Sequence, residues 1–151
     1  MIRRGDGLLL VCNRRRDRSL EWTPPGGVID AGETVLDGLA REVREETGLL
    51  VASWGLRSYT VVVEAPEMGW QLRVEAWEAE SVLGEIATDD PDGIVEDARY
   101  VAGGEAPGLL AASPPWVHVP LGDWLDGAVQ DAYRFMLRGT QRRADAVERM
   151  Q

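Results

Sequence analysis

Residues 26–50 read GGVIDAGETVLDGLAREVREETGLL, and no other stretch restricts the fold as tightly. Thr34 followed by Asp37 has the form of a helix N-cap, and Gly48 stands where a left-handed C-cap belongs, so a helix is expected over residues 34–47. Leu36, Leu39, Ala40 and Val43 give that helix an apolar stripe for a core. Glu42, Glu45 and Glu46 recur at i, i+3 and i+4 and fall within about a 100° arc beside it. Carboxylates about 5–6 Å apart repel by roughly 0.7 kcal/mol in water and about 3 kcal/mol at the effective dielectric of a cleft. A solvated face bears that cost, with Arg41 and Arg44 as neutralising neighbours, and this is the ordinary reading of a Glu-rich helix. A cleft needs a cation. Joined to the glycine turn and to Glu33, the pattern favours the cleft, and hard oxygen ligands without histidine or cysteine select Mg²⁺ or Mn²⁺ over zinc.

The order of residues is Gly27, five residues, Glu33, seven residues, Arg41-Glu42-Val43, one residue, Glu45-Glu46, one residue, Gly48-Leu49. This resembles the signature of the Nudix hydrolases at every position, and the preceding WTPPGG resembles the turn that leads into it in MutT-type relatives. The resemblance implies an α+β fold, an α/β/α sandwich with a mixed β-sheet between helices. It implies that Glu42, Glu45 and Glu46 coordinate metal with the carbonyl of Gly26, that Arg41 holds a glutamate in position, and that Glu33 supports the loop. The implied reaction is Mg²⁺-dependent hydrolysis of a pyrophosphate bond in a nucleoside diphosphate linked to another group. A nucleoside triphosphate is favoured, with ADP-ribose or a nucleotide sugar as the alternative substrate. A regulator that senses nucleotides without turnover is the non-enzymatic alternative, disfavoured because every box glutamate is present.

At 151 residues the chain suits one domain, expected over residues 1–138 with a charged tail, possible as a frayed helix, over 139–151. A net charge of −10 argues against nucleic acid as a partner, and all 16 cations are arginine, a bias that suits a GC-rich bacterial genome. Any side chain that grips a phosphate here must therefore use a guanidinium. The apolar run Leu8 to Cys12 is too short for a membrane span and unlike a secretory signal, and the lone Cys12 excludes an internal disulfide, so a cytoplasmic protein is expected.

Further strands are expected at 8–13, 49–52, 58–64, 71–80 and 96–102, and a second helix at 121–137. Only MIRR precedes the GDG turn, where relatives carry a full strand. Three arrangements stay open: a short first strand, another segment in its slot, or a second subunit covering the edge as a homodimer. The acidic loop offers Asp89, Asp90, Asp92 and Glu96, with Glu96 the candidate for an extra metal ligand, although each acid singly reads more simply as part of a turn. Trp22 is a candidate for stacking on a base, or equally a core aromatic. His118 reads as a structural residue, Trp116 beside it as one that could line the substrate pocket from the far side, and the arginines at 14, 15, 16 and 18 as a solvated hairpin.

Overall fold

The apolar run GLLLVCNR alternates its side chains between two covered faces and becomes β2 (Gly7–Arg14), whose first six residues are buried. The computed structural model describes residues 1–88, 93–140 and 143–150. The chain divides into two compact units, Met1–Gly55 with Glu78–Ser113, and Leu56–Trp77 with Pro114–Gln151.

In the first unit β2 is the centre of a four-stranded antiparallel sheet. β1 (Arg3–Arg4) and β3 (Leu20–Thr23) pair with it at its two ends, and β6 (Val95–Ala102) runs along most of its length from Gly7↔Ala102 to Asn13↔Val95. The predicted helix is α1 (Val35–Thr47). Its Val43 is buried with Ile2, Leu9 and Leu49, and Leu39, Trp54, Ala79 and Tyr100 pack around them. Each such side chain contributes about 1.5–3 kcal/mol when fully buried. α1 is therefore fixed on its apolar side, leaving the glutamates on the next.

Both caps are as the sequence indicated. Asp37 N–H donates to Thr34 Oγ1 at 3.2 Å, the Thr34 hydroxyl donates to Asp37 Oδ2 at 2.6 Å, and Gly48, at φ 74°, donates its N–H to the Arg44 carbonyl at 2.8 Å. Thr34→Ala removes the side chain that accepts the Asp37 N–H, and about 1 kcal/mol of stability should go with it, lowering Tm by about 2–4 °C for a chain of this size. Thermal unfolding followed by circular dichroism checks this, and an unchanged Tm refutes the cap's role.

The second unit holds residues of β4 (Leu50–Ala65) and β5 (Trp70–Leu83), with β7 (Ala132–Thr140) and β8 (Arg143–Met150), in a sheet of order β5-β4-β7-β8. β4 and β7 run parallel from Thr60↔Ala132 to Glu64↔Met136, whereas β8 returns antiparallel to β7. Tyr59, Val61, Val63, Tyr133, Phe135 and Leu137 are buried, and the two tyrosine rings meet edge to face at 5.8 Å. The Tyr133 hydroxyl donates to Asp123 Oδ2 at 2.9 Å and accepts the Gln130 N–H at 3.0 Å, joining β7 to α3 (Pro115–Leu125). Parallel and antiparallel pairs in one sheet, with three helices, make the expected α+β class with a mixed sheet. No helix among the described residues is long and apolar enough to cross a membrane.

Several elements differ from the sequence expectation. The second helix was expected at 121–137 but lies at Pro115–Leu125. Pro114 and Pro115 start it, and Gly127, at φ 71°, follows its end. The following segment is β7, where Tyr133, Phe135 and Leu137 recur with period two between exposed Arg134 and Arg138. The expected frayed tail is strand β8, held in register by Leu137↔Val147 and Phe135↔Arg149. The strands expected at 49–52 and 58–64 are one continuous strand, β4, with Gly55 inside it. The stretch between β6 and α3, rich in Gly, Ala and Pro, contains a short helix, α2 (Ala106–Leu110). The first strand is the two-residue β1, so the short-strand alternative is the observed one.

Candidate active site

The site is built where the TPPGG turn meets α1. Pro24 and Pro25 fix the backbone ahead of Gly26, whose φ of 152° favours glycine. The Gly26 N–H donates to Glu46 Oε2 at 2.9 Å, so the last box glutamate reaches back across 20 residues to the turn. A side chain at Gly27 would displace the Glu42 carboxylate. A Cβ there would lie 2.4 Å from Glu42 Oε2 and 2.7 Å from Oε1, in the volume that the carboxylate occupies.

Arg41 gathers the other acids. Its Nε and Nη2 donate to the two oxygens of Glu33 at 2.9 and 3.0 Å as a bidentate fork. Nη1 donates to Glu42 Oε1 at 2.8 Å and Glu45 Oε2 at 3.2 Å, and Nη2 also donates to the Val28 carbonyl at 3.1 Å. Asp30 lies 3.7 Å away. A guanidinium carries five N–H donors, and these five contacts use them all. The Arg41 fork, followed by the Asp30 N–H at 3.0 Å, lowers the Glu33 pKa to about 2. The fork to Glu33, followed by the bond to Glu42, raises that of Arg41.

Gly38 and the Val28 carbonyl were not singled out in the sequence. Gly38 sits inside α1, and a Cβ on it would meet Ile29 Cδ1 at 2.7 Å and Glu33 Oε2 at 2.9 Å. Glycine there lets the loop of residues 27–34 close on the helix and deliver Glu33 and the Val28 carbonyl to Arg41. A glycine in a helix interior, which costs about 1 kcal/mol in propensity, was the available signal.

Oxygen-only donors of this kind fit a hard divalent cation, and the guanidinium seated among Glu33, Glu42 and Glu45 shows that this spot accepts concentrated positive charge. Among the described residues no three acidic, histidine or cysteine side chains converge at ligand spacing; the carboxylates are drawn onto Arg41 and the Gly26 N–H.

The sequence matches the family model of the NUDIX domain over residues 1–123. The chain belongs to the Nudix family. It is 27% identical over 143 residues to the m7GpppN-mRNA hydrolase NUDT17 of Homo sapiens, a match covering 76% of this chain and 44% of that one. It is 41% identical over 46 residues to the nucleoside triphosphatase NudI of Escherichia fergusonii, covering 28% of this chain and 33% of that one. The chain thus spans less than half the length of these curated relatives. The crystal structure of a MutT protein from Bacillus halodurans shares the fold, with a TM-score of 0.65 and 22% identity over 99% of this chain and 93% of that one.

The other candidates are accounted for one by one. Glu96 pairs with Arg14 Nε at 2.5 Å, and this hydrogen bond lowers its pKa. Trp22 is half-buried with the Arg99 guanidinium 4.9 Å from its ring centroid, so one face of the indole is covered. Cys12 is buried, and burial raises its pKa. Trp116 and His118 lie on α3. Asp89, Asp90 and Asp92 lie outside the described residues.

Proposed function

We propose that this Nudix protein is a pyrophosphohydrolase that uses Mg²⁺, or Mn²⁺ in its place, to cleave a nucleoside diphosphate linked to another group, with a nucleoside triphosphate as the favoured substrate. The observation that carries this reading is the clamp of Arg41 on Glu33, Glu42 and Glu45 beside the Glu46–Gly26 bond. Glu42, Glu45, Glu46 and the Gly26 carbonyl would hold the metal, and Glu96 is a further ligand candidate once its pair with Arg14 opens. A bound divalent cation would neutralise the diphosphate and acidify water.

The chain's own groups divide the remaining work. Arg41 keeps Glu42 and Glu45 on one side of α1, and Glu33 keeps Arg41 in place. Glu46, anchored to the turn, would accept a proton from attacking water. The triphosphate preference is supported by the WTPPGG turn and by a relative that is a nucleoside triphosphatase. The buried, unpaired Cys12 accords with a reducing compartment, and we place the reaction in the cytoplasm.

The test is a panel of nucleoside triphosphates, ADP-ribose and nucleotide sugars with Mg²⁺ or Mn²⁺, scored for released phosphate or pyrophosphate. Turnover of one triphosphate above the other members supports the reading. Saturable nucleotide binding without turnover of any member would replace it with the sensor.

A further inference from the structure

We propose that a second copy of this chain docks on the outer edge of β5, forming a two-fold dimer centred on Val74. β5 ends the order β5-β4-β7-β8, so among the described residues no strand lies on its far side. In an antiparallel ladder alternate residues turn both backbone polar groups to the same edge. The Ala79 N–H donates to the Met1 carbonyl at 2.9 Å and therefore points away from β4. Counting back in twos, Gln71, Arg73 and Glu75 present their N–H and C=O groups on that outer edge as well. Trp70 to Val74 are exposed, and Trp70, Leu72 and Val74, at 40%, 38% and 38%, form an apolar row on one face. An open edge with an apolar row is a template for strand addition.

Charge selects the occupant and the register. Arg73 and Glu75 stand two apart on the same face, 3.3 Å from one another. An antiparallel copy centred on Arg73 or on Glu75 would oppose like charges. One centred on Val74 sets Arg73 against Glu75 of the second copy and Glu75 against its Arg73. Both residues face the outer edge, so each opposed pair can exchange its two backbone hydrogen bonds. Leu72 then opposes Ala76, and Val74 opposes itself, extending the apolar row across the two-fold axis. The edge is complementary to itself in this register, and this favours a copy of the same chain over an unrelated strand.

Sedimentation velocity on the full chain tests the proposal. Wild type is expected to reach twice the 16.6 kDa chain mass in a concentration-dependent manner. R73E and E75R should each raise the dimer dissociation constant by at least about tenfold, because each places like charges opposite one another twice. Mixed one to one, these two variants should recover the dimer, since every opposed pair is then of opposite sign. Glu75 also accepts from Trp77 Nε1, so E75R may be compared with Arg73→Pro, which removes an outward N–H and leaves the β4 ladder intact. Far-ultraviolet circular dichroism confirms that each variant is folded. A wild type that stays monomeric, single variants that still dimerise, or a folded mixture that stays monomeric each overturns the proposal.

Discussion

Glu46→Gln is expected to lower kcat/KM for the preferred nucleotide by about two to three orders of magnitude, with the loss in kcat and the fold intact. The substitution is nearly isosteric. Glu46 accepts the Gly26 N–H through Oε2 at 2.9 Å, and a glutamine amide oxygen can accept the same bond, so the turn stays tied to α1. What disappears is the negative charge, and with it the hard ligand and the proton acceptor that the proposed reaction asks of Glu46. A purely structural Glu46 would predict the reverse, with near-normal turnover. Steady-state kinetics with Mg²⁺ and a thermal melt of the same preparation separate the two. Turnover within a few-fold of wild type would remove Glu46 from the chemistry.

The parts legible in the sequence were those with local physical causes. Thr34, Asp37 and Gly48 cap α1 through contacts within a few residues, and the spacing of Glu42, Glu45 and Glu46 is helix geometry alone. The Arg41 fork was legible only in outline. Its bond to Glu45 spans four residues of helix, whereas its bonds to Glu33 and the Val28 carbonyl depend on how the loop folds back, and so on the absence of a Cβ at Gly38. The misread segment was 126–137. Leu121 and Trp124 suit a helix, and the apolar residues that follow extend that impression. The break at Asp126–Gly127 and the period-two burial of Tyr133, Phe135 and Leu137 show a strand whose partner, β4, lies some 70 residues away. Parallel pairing at that separation leaves no local mark. β8 was obscured for a related reason: its charged residues suit an exposed face, and only pairing with β7 gives them a strand.

Arg41→Gln should do more than weaken activity; it should reverse the response of stability to acid. In the wild-type protein the Glu33 pKa is depressed to about 2 by the Arg41 fork, against about 4.3 for a free glutamate. Stability from that bond is fully present above the unfolded value and is lost as pH falls from about 4.3 through 2. Without the guanidinium, Glu33, Glu42 and Glu45 face one another with no cation between them. Protonating one of them then relieves repulsion, so the variant should be destabilised by several degrees at pH 7 and recover part of that loss as pH approaches 4. Mg²⁺ should raise Tm more in the variant than in wild type, because a divalent ion supplies the missing charge by binding the folded state. Activity should fall by at least about tenfold, since the acids lose their common support. Melting curves from pH 7 to pH 3, with and without Mg²⁺, read all of this in one experiment. Parallel pH profiles for the two proteins would show that Arg41 is an ordinary surface charge and that the acids are held by something else.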